Sequence, residues 1–111
     1  MSEVVVCRDG EIDQGGVRTV RRAATGHSDD ISVFYDGARY WALDDTCTHA
    51  RAWLAEGWVE DGAVECPLHS ASFRLSDGKA LCLPAVVDAR THRVEVRDGS
   101  VVLHPGGAPG G

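Results

Sequence analysis

Two short segments carry reactive side chains at close spacing: Cys47-Thr48-His49 and Cys66-Pro67-Leu68-His69. Each offers one thiolate and one imidazole within two or three positions, and 16 residues lie between His49 and Cys66. Both segments read as a strand edge meeting a turn, so the two side chains of each can point at a common centre. Two Cys and two His on paired loops enclose either one tetrahedral metal or a two-iron cluster. Structural zinc sites usually group cysteines first and histidines second. Here the order is Cys, His, Cys, His. A dinuclear cluster explains that order, with each loop giving its Cys to one iron and its His to the other.

Loops of this kind need a frame, and the punctuation of the chain describes one. Five Asp-Gly pairs, at 9–10, 36–37, 61–62, 77–78 and 98–99, favour tight hairpin turns. Short β-rich runs flank them, which predicts strands near Val4–Cys7, Val17–Arg22, Ile31–Tyr35, Arg39–Leu43, Ala63–Cys66, Ser72–Leu75, Arg93–Val96 and Val101–Leu103. Residues 44–57 and 76–85 read as loops. No long segment has helical periodicity. Many short strands at close spacing predict an all-β fold, an antiparallel β-sandwich or small barrel. The domain is expected over 1–104, with a flexible Gly/Pro-rich tail at 105–111.

Composition bounds the function. The chain has 111 residues, one domain's worth, with 43% hydrophobic and 25% charged residues. The net charge of −6 argues against nucleic acid, whose binders show a basic face, and suits steering toward a basic protein partner. No apolar run approaches the roughly 20 residues of a membrane helix. The start of the chain lacks a secretory pattern, so a cytoplasmic location is expected. In a reducing compartment, cysteines beside histidines point to metal rather than disulfides.

The two motifs resemble the cluster-binding loops of Rieske proteins. Thr46, Leu54, Glu56 and Gly57 fit that pattern, as do Asp61 to Glu65, Phe73, the Asp77-Gly78-Lys79 turn and a cover loop at Leu83-Pro84-Ala85. The likeness runs from about Tyr35 to Val102. The position after His69, usually Gly in the family, is Ser70, and Ala50-Arg51-Ala52-Trp53 replaces a Gly-containing stretch. The small size is similar to the ferredoxin components of bacterial aromatic ring-hydroxylating dioxygenases. The resemblance implies a [2Fe–2S] cluster with Cys47 and Cys66 on one iron and His49 and His69 on the other. It also implies a non-catalytic, monomeric one-electron carrier. Its partners would be a flavin- or iron–sulfur-containing ferredoxin reductase and a terminal oxygenase, met near His49 and His69.

Two ferric ions, two sulfides and two thiolates sum to a neutral centre, so an added electron is accepted more readily than by an all-cysteine cluster. Rieske centres span about −150 to +300 mV. High-potential relatives carry an extra disulfide and hydroxyl donors; the matching positions here are Ala52, Leu68, Ala71 and Phe73, which predicts a low potential. Trp53, Leu54, Leu68 and Pro84 are expected as an apolar collar and docking patch, with Arg51 on its rim. Cys7 reads as a buried structural thiol and Cys82 as a plain thiol in the cover loop. His27, His92 and His104 read as solvated, Trp41 and Trp58 as core, and Asp44, Asp45, Glu56, Glu60 and Asp61 as a solvated face. A Rieske domain of an oxygenase would need a two-His-one-carboxylate iron site in a second domain, and the sequence shows no His pair to spare. The remaining alternatives are an electron-transfer subunit of another oxidoreductase and a structural zinc module.

Overall fold

The computed structural model describes residues 3–47, 52–67, 71–81 and 87–106. Its strands are β1 (Val4–Arg8), β2 (Val17–Val20), β3 (Ile31–Tyr35), β4 (Tyr40–Asp44), β5 (Trp58–Glu60), β6 (Ala63–Glu65), β7 (Ser72–Arg74), β8 (Thr91–Arg97) and β9 (Ser100–His104). Six of them form one antiparallel sheet in the order β1-β9-β8-β4-β3-β2, and β5-β6-β7 form a second, smaller one. A single helical turn, α1 (Arg22–Thr25), follows β2, and a 3₁₀ turn spans Leu54–Glu56. No helix among the described residues is long and apolar enough to cross a membrane.

The Asp-Gly pairs act as turns in two ways. At Asp61-Gly62 and Asp98-Gly99 both residues have positive φ, giving two-residue hairpins that close Glu60 onto Ala63 and Arg97 onto Ser100. Between β3 and β4 the loop is four residues long, and Asp36 holds it by accepting from the Ala38 and Arg39 N–H groups at 2.8 Å each.

β3 and β4 sit in the middle of the large sheet with both faces covered. Ile31, Val33 and Ala42 face one core with Val20, Val101 and Leu103; Phe34 and Leu43 face a second core with Leu54, Val64, Phe73 and Leu75. Two-sided burial explains why Val33 and Phe34 follow one another in β3 with no polar residue between them.

The predicted strand near Val17–Arg22 stops at Val20. Arg22 instead opens α1, its N–H donating to Asp30 Oδ1 at 2.8 Å, and Gly26 ends the turn at φ 76°. β5 has no counterpart among the predicted strands, because three residues give too short a pattern to read. Trp58 is 52% exposed rather than in the core: on this short edge strand Val59 points inward, so its neighbours Trp58 and Glu60 point out. Trp41 does pack against the core.

Candidate functional site

Cys47 lies three residues beyond β4 of the large sheet, and Cys66 directly follows β6 of the small one. Both thiols are buried, at 3% and 1% exposure, in the same apolar cluster. The two segments close alike. The Cys47 N–H donates to the Ala52 carbonyl at 2.8 Å, and the Cys66 N–H donates to the Ala71 carbonyl at 2.6 Å. Each bond joins a cysteine to the fifth residue after it, so the two candidate loops are matched in span. His49 and His69 fall between these closures and lie outside the described residues, as do Ala50, Arg51, Leu68, Ser70, Cys82 and the cover-loop residues at 83–85.

Carboxylates brace the approach to the first loop. Asp29 accepts from both the Thr46 N–H and the Thr46 hydroxyl at 3.0 Å. Asp45 accepts from the Ser32 hydroxyl at 2.7 Å and the Ala55 N–H at 3.0 Å, and its carbonyl takes the Leu54 N–H at 2.7 Å. Asp45 is therefore buried, not part of a solvated face: it satisfies donors that a loop folding back on β3 would otherwise leave orphaned. Glu56, Glu60 and Asp61 are exposed as expected.

The wall around the thiols is apolar. Ala52, Leu54, Val64, Ala71, Phe73 and Leu75 are all buried in the same cluster. Two soft thiolate donors on matched loops, screened from water, fit an iron–sulfur centre. Ala71 and Phe73 bring no side-chain hydroxyl to that wall. Leu54 belongs to the core, not to a surface collar, because the 3₁₀ turn rolls it inward; Trp53, one residue before it, is 51% exposed. Cys7 is a buried thiol in β1, and burial pushes it above the ordinary thiol range.

A second constellation was not legible. His27 and His92 are buried, and both Nε2 atoms meet Asp44 Oδ1, at 2.8 and 2.7 Å. Their rings meet edge-on with centroids 4.7 Å apart. Neither histidine is solvated, and the chain does hold a converging His pair. The residues lie 17 and 48 positions from Asp44, so only the β4–β8 pairing and the loop after α1 bring them together. Burial pushes the Asp44 carboxyl up, but the hydrogen bonds from His92 and His27 outweigh it and hold the group below the usual carboxylate range. His104 stays nearer the surface and donates to Glu95 at 3.0 Å.

The family profile described as Rieske [2Fe-2S] domain matches residues 2–98. The 3-phenylpropionate/cinnamic acid dioxygenase ferredoxin subunit of Photorhabdus laumondii is 44% identical over 93% of this chain and 94% of its own length. Among solved structures, the chain resembles one in the complex of reduced oxygenase and oxidized ferredoxin in carbazole 1,9a-dioxygenase. That match has TM-score 0.84 and 31% identity, over 91% of each chain. It also resembles the ferredoxin of carbazole 1,9a-dioxygenase from Nocardioides aromaticivorans, with TM-score 0.84 and 27% identity, over 98% of this chain and 99% of that one.

Proposed function

The chain belongs to the Rieske [2Fe–2S] family, and from that premise we propose that it is the ferredoxin of a multicomponent aromatic-ring dioxygenase, a carrier rather than a catalyst. It takes one electron at a time from a flavin- or iron–sulfur-containing reductase and delivers it to the terminal oxygenase. Within residues 1–104, Cys47 and Cys66 hold one iron and His49 and His69 the other, with 105–111 as a tail. When bound, the cluster supplies a centre that accepts and returns a single electron. It works as a monomer in the cytoplasm.

The observation that carries this reading is the pair of matched loop closures, Cys47 to Ala52 and Cys66 to Ala71, which set two buried thiols in one apolar wall. The chain's own residues do three things there. The closures fix the cysteines, the wall keeps water from the sulfurs, and the missing hydroxyls leave the reduced, more negative state without extra donors, which keeps the potential low. Trp53 offers an exposed apolar surface beside the first loop, where an oxygenase or reductase can dock.

The test is anaerobic purification with iron and sulfide analysis, then EPR of the reduced protein and a reconstituted electron-transfer assay. Two irons and two sulfides per chain, with Cys66→Ser losing them, are expected. An iron-free protein, or a zinc protein with no reduced-state signal, would falsify the assignment. Trp53→Ala should slow transfer to the oxygenase while leaving the potential unchanged; unchanged transfer would remove Trp53 from the docking surface.

A further inference from the structure

β4 and β8 stop pairing where their register would let them continue. The ladder holds at Leu43↔Thr91 and Ala42↔His92, and the Asp44 N–H donates to the Arg90 carbonyl at 2.9 Å. In an antiparallel ladder the hydrogen-bonded pairs alternate with unbonded ones. Asp44 with Arg90 is one bonded pair and Ala42 with His92 the next, so Tyr40 with Val94 is due to be the third. That pair is not made. Tyr40 stays with β3, opposite Tyr35, and Val94 stays with β9, opposite Leu103. The main-chain groups of Tyr40 and Val94 therefore face a gap without a ladder partner, and Val96 lies on the same edge two residues on.

The gap is a cavity of about 410 Å³, lined by Tyr40 and Trp41 of β4 and by Arg93, Val94, Glu95 and Val96 of β8. Successive residues of a strand send their side chains to opposite faces of the sheet, and Tyr40 and Trp41 do pack on different cores. Neighbours on both strands reach one cavity because it runs between two strand edges and not over one face. Its aromatic wall is fixed in advance. The Tyr35 and Tyr40 rings lie 4.6 Å apart; the Tyr35 hydroxyl donates to the Gly37 carbonyl at 3.0 Å and the Tyr40 hydroxyl to Asp9 at 2.7 Å. The free charge at the lip is positive. Asp9 is engaged by Tyr40, and Glu95 by Arg93 and His104. Arg39, which also lines the cavity, is exposed, with its guanidinium carbon 6.0 Å from the Trp41 ring centroid and no carboxylate partner among the described residues.

We propose that this seam takes an extended, acidic segment of a partner protein as an added strand. An unpaired strand edge is a template for another chain. A peptide added to it gains affinity from main-chain hydrogen bonds and specificity from alternate side chains. Here Val94 and Val96 supply the main-chain donors and acceptors, Tyr35 and Tyr40 the apolar wall, and Arg39 the partner for a carboxylate. The outer edges of β1 and β2 are also unpaired, but each offers a single row, whereas at the seam two rows face one cavity. The net charge of −6 does not turn an acidic guest away, because charges more than about 8 Å off are screened at physiological salt while Arg39 acts at contact. Tyr35, Tyr40 and Val94 pack on the core of Val33 and Leu103, not on the one that holds Cys47 and Cys66, so the inference is independent of the electron-carrier reading.

The experiment follows amide hydrogen exchange by nitrogen-edited NMR in the oxidised, cluster-loaded protein. The probes are two short blocked peptides of alternating Val and Thr, one with a central Glu and one with a central Lys. In the free protein the Val94 and Val96 amides should exchange about tenfold or more faster than those of Arg93 and Glu95, which face β9. The Glu peptide should slow Val94 and Val96 about tenfold and bind about threefold more tightly than the Lys peptide. Arg39→Gln should level the two peptides, and Arg39→Glu should reverse their order. Val94 and Val96 amides already protected in dilute free protein overturn the proposal, since the gap is then closed. So does protection that appears on β1 or β2 instead, a failure of both peptides to protect the seam, or a preference for Glu that survives in Arg39→Glu. Protection that grows with protein concentration in the absence of peptide gives the seam to a second copy of the chain and overturns it too.

Discussion

The Ser32 hydroxyl donates to Asp45 Oδ1 at 2.7 Å, and both residues are buried. This bond ties β3 to the start of the first candidate loop, two residues before Cys47. A charged acceptor that loses a buried donor keeps its desolvation cost. Ser32→Ala should therefore cost about 1.5–3 kcal/mol of stability. Urea unfolding measures that loss, and iron should leave the variant faster than wild type under a chelator. Unfolding that matches wild type would show that the Ala55 N–H alone holds the carboxylate.

Gly57 offers a sharper mechanical test. A Cβ there would lie 1.8 Å from the Glu65 carbonyl oxygen, and Glu65 directly precedes Cys66. Its φ of −86° suits any residue, so the constraint is contact and not backbone strain. Gly57→Ala must push the 3₁₀ turn away from β6, at about 2–4 kcal/mol, and should weaken iron retention. Gly62→Ala is the control: it has open space but a φ of 76°, so about 1–2 kcal/mol of strain is expected without loss of iron. Equal iron retention in the two variants would separate Gly57 from the proposed iron site at Cys66.

How much of this was legible follows from what fixes each feature. The hairpins were, because Asp-Gly turns are local chemistry: Asp61-Gly62 and Asp98-Gly99 adopt the positive φ that the pair tolerates. The burial of Cys47 and Cys66 in one cluster agrees with two short motifs on paired loops, while His49 and His69, the other donors of those motifs, lie outside the described residues. The limits of β2 were not legible, since only the Asp30 bond to the Arg22 N–H and the turn at Gly26 end the strand. The buried state of Asp45 and the His27–Asp44–His92 unit were not legible either. Their partners are distant in sequence and meet only once β3, β4 and β8 have paired.

Asp44 sets an acid limit on stability. Its carboxyl is held below the usual range, so its contribution is complete above the unfolded-state value and fades as pH falls through the lower folded value. Asp36 behaves alike: burial raises it, and bonds from Arg39, Trp41 and Ala38 more than offset that. Asp44→Asn should cost about 1–2 kcal/mol at neutral pH and flatten the acid limb of a stability profile. The difference between variant and wild type should shrink toward strongly acid pH. A constant difference at every pH would mean that the carboxylate charge is not what stabilises the fold.

Phe73 tests the origin of the potential. Its ring is fully buried, pairs across β6 and β7 with Val64, and shares a cluster with Cys47 and Cys66. Phe73→Tyr brings a hydroxyl into a wall where the thiolate sulfurs are the soft acceptors. A hydrogen bond to sulfur strengthens as the centre gains negative charge, so it favours the reduced form. One bond of about 0.5–1.5 kcal/mol corresponds to a rise of about 20–60 mV for a one-electron couple. Protein-film voltammetry reads the shift, and Phe73→Leu, which adds no donor, should leave the potential near wild type while lowering the melting temperature. If both variants move the potential equally, packing and not hydrogen bonding governs it. If Phe73→Tyr lowers stability without moving the potential, the new hydroxyl has turned away from the sulfurs.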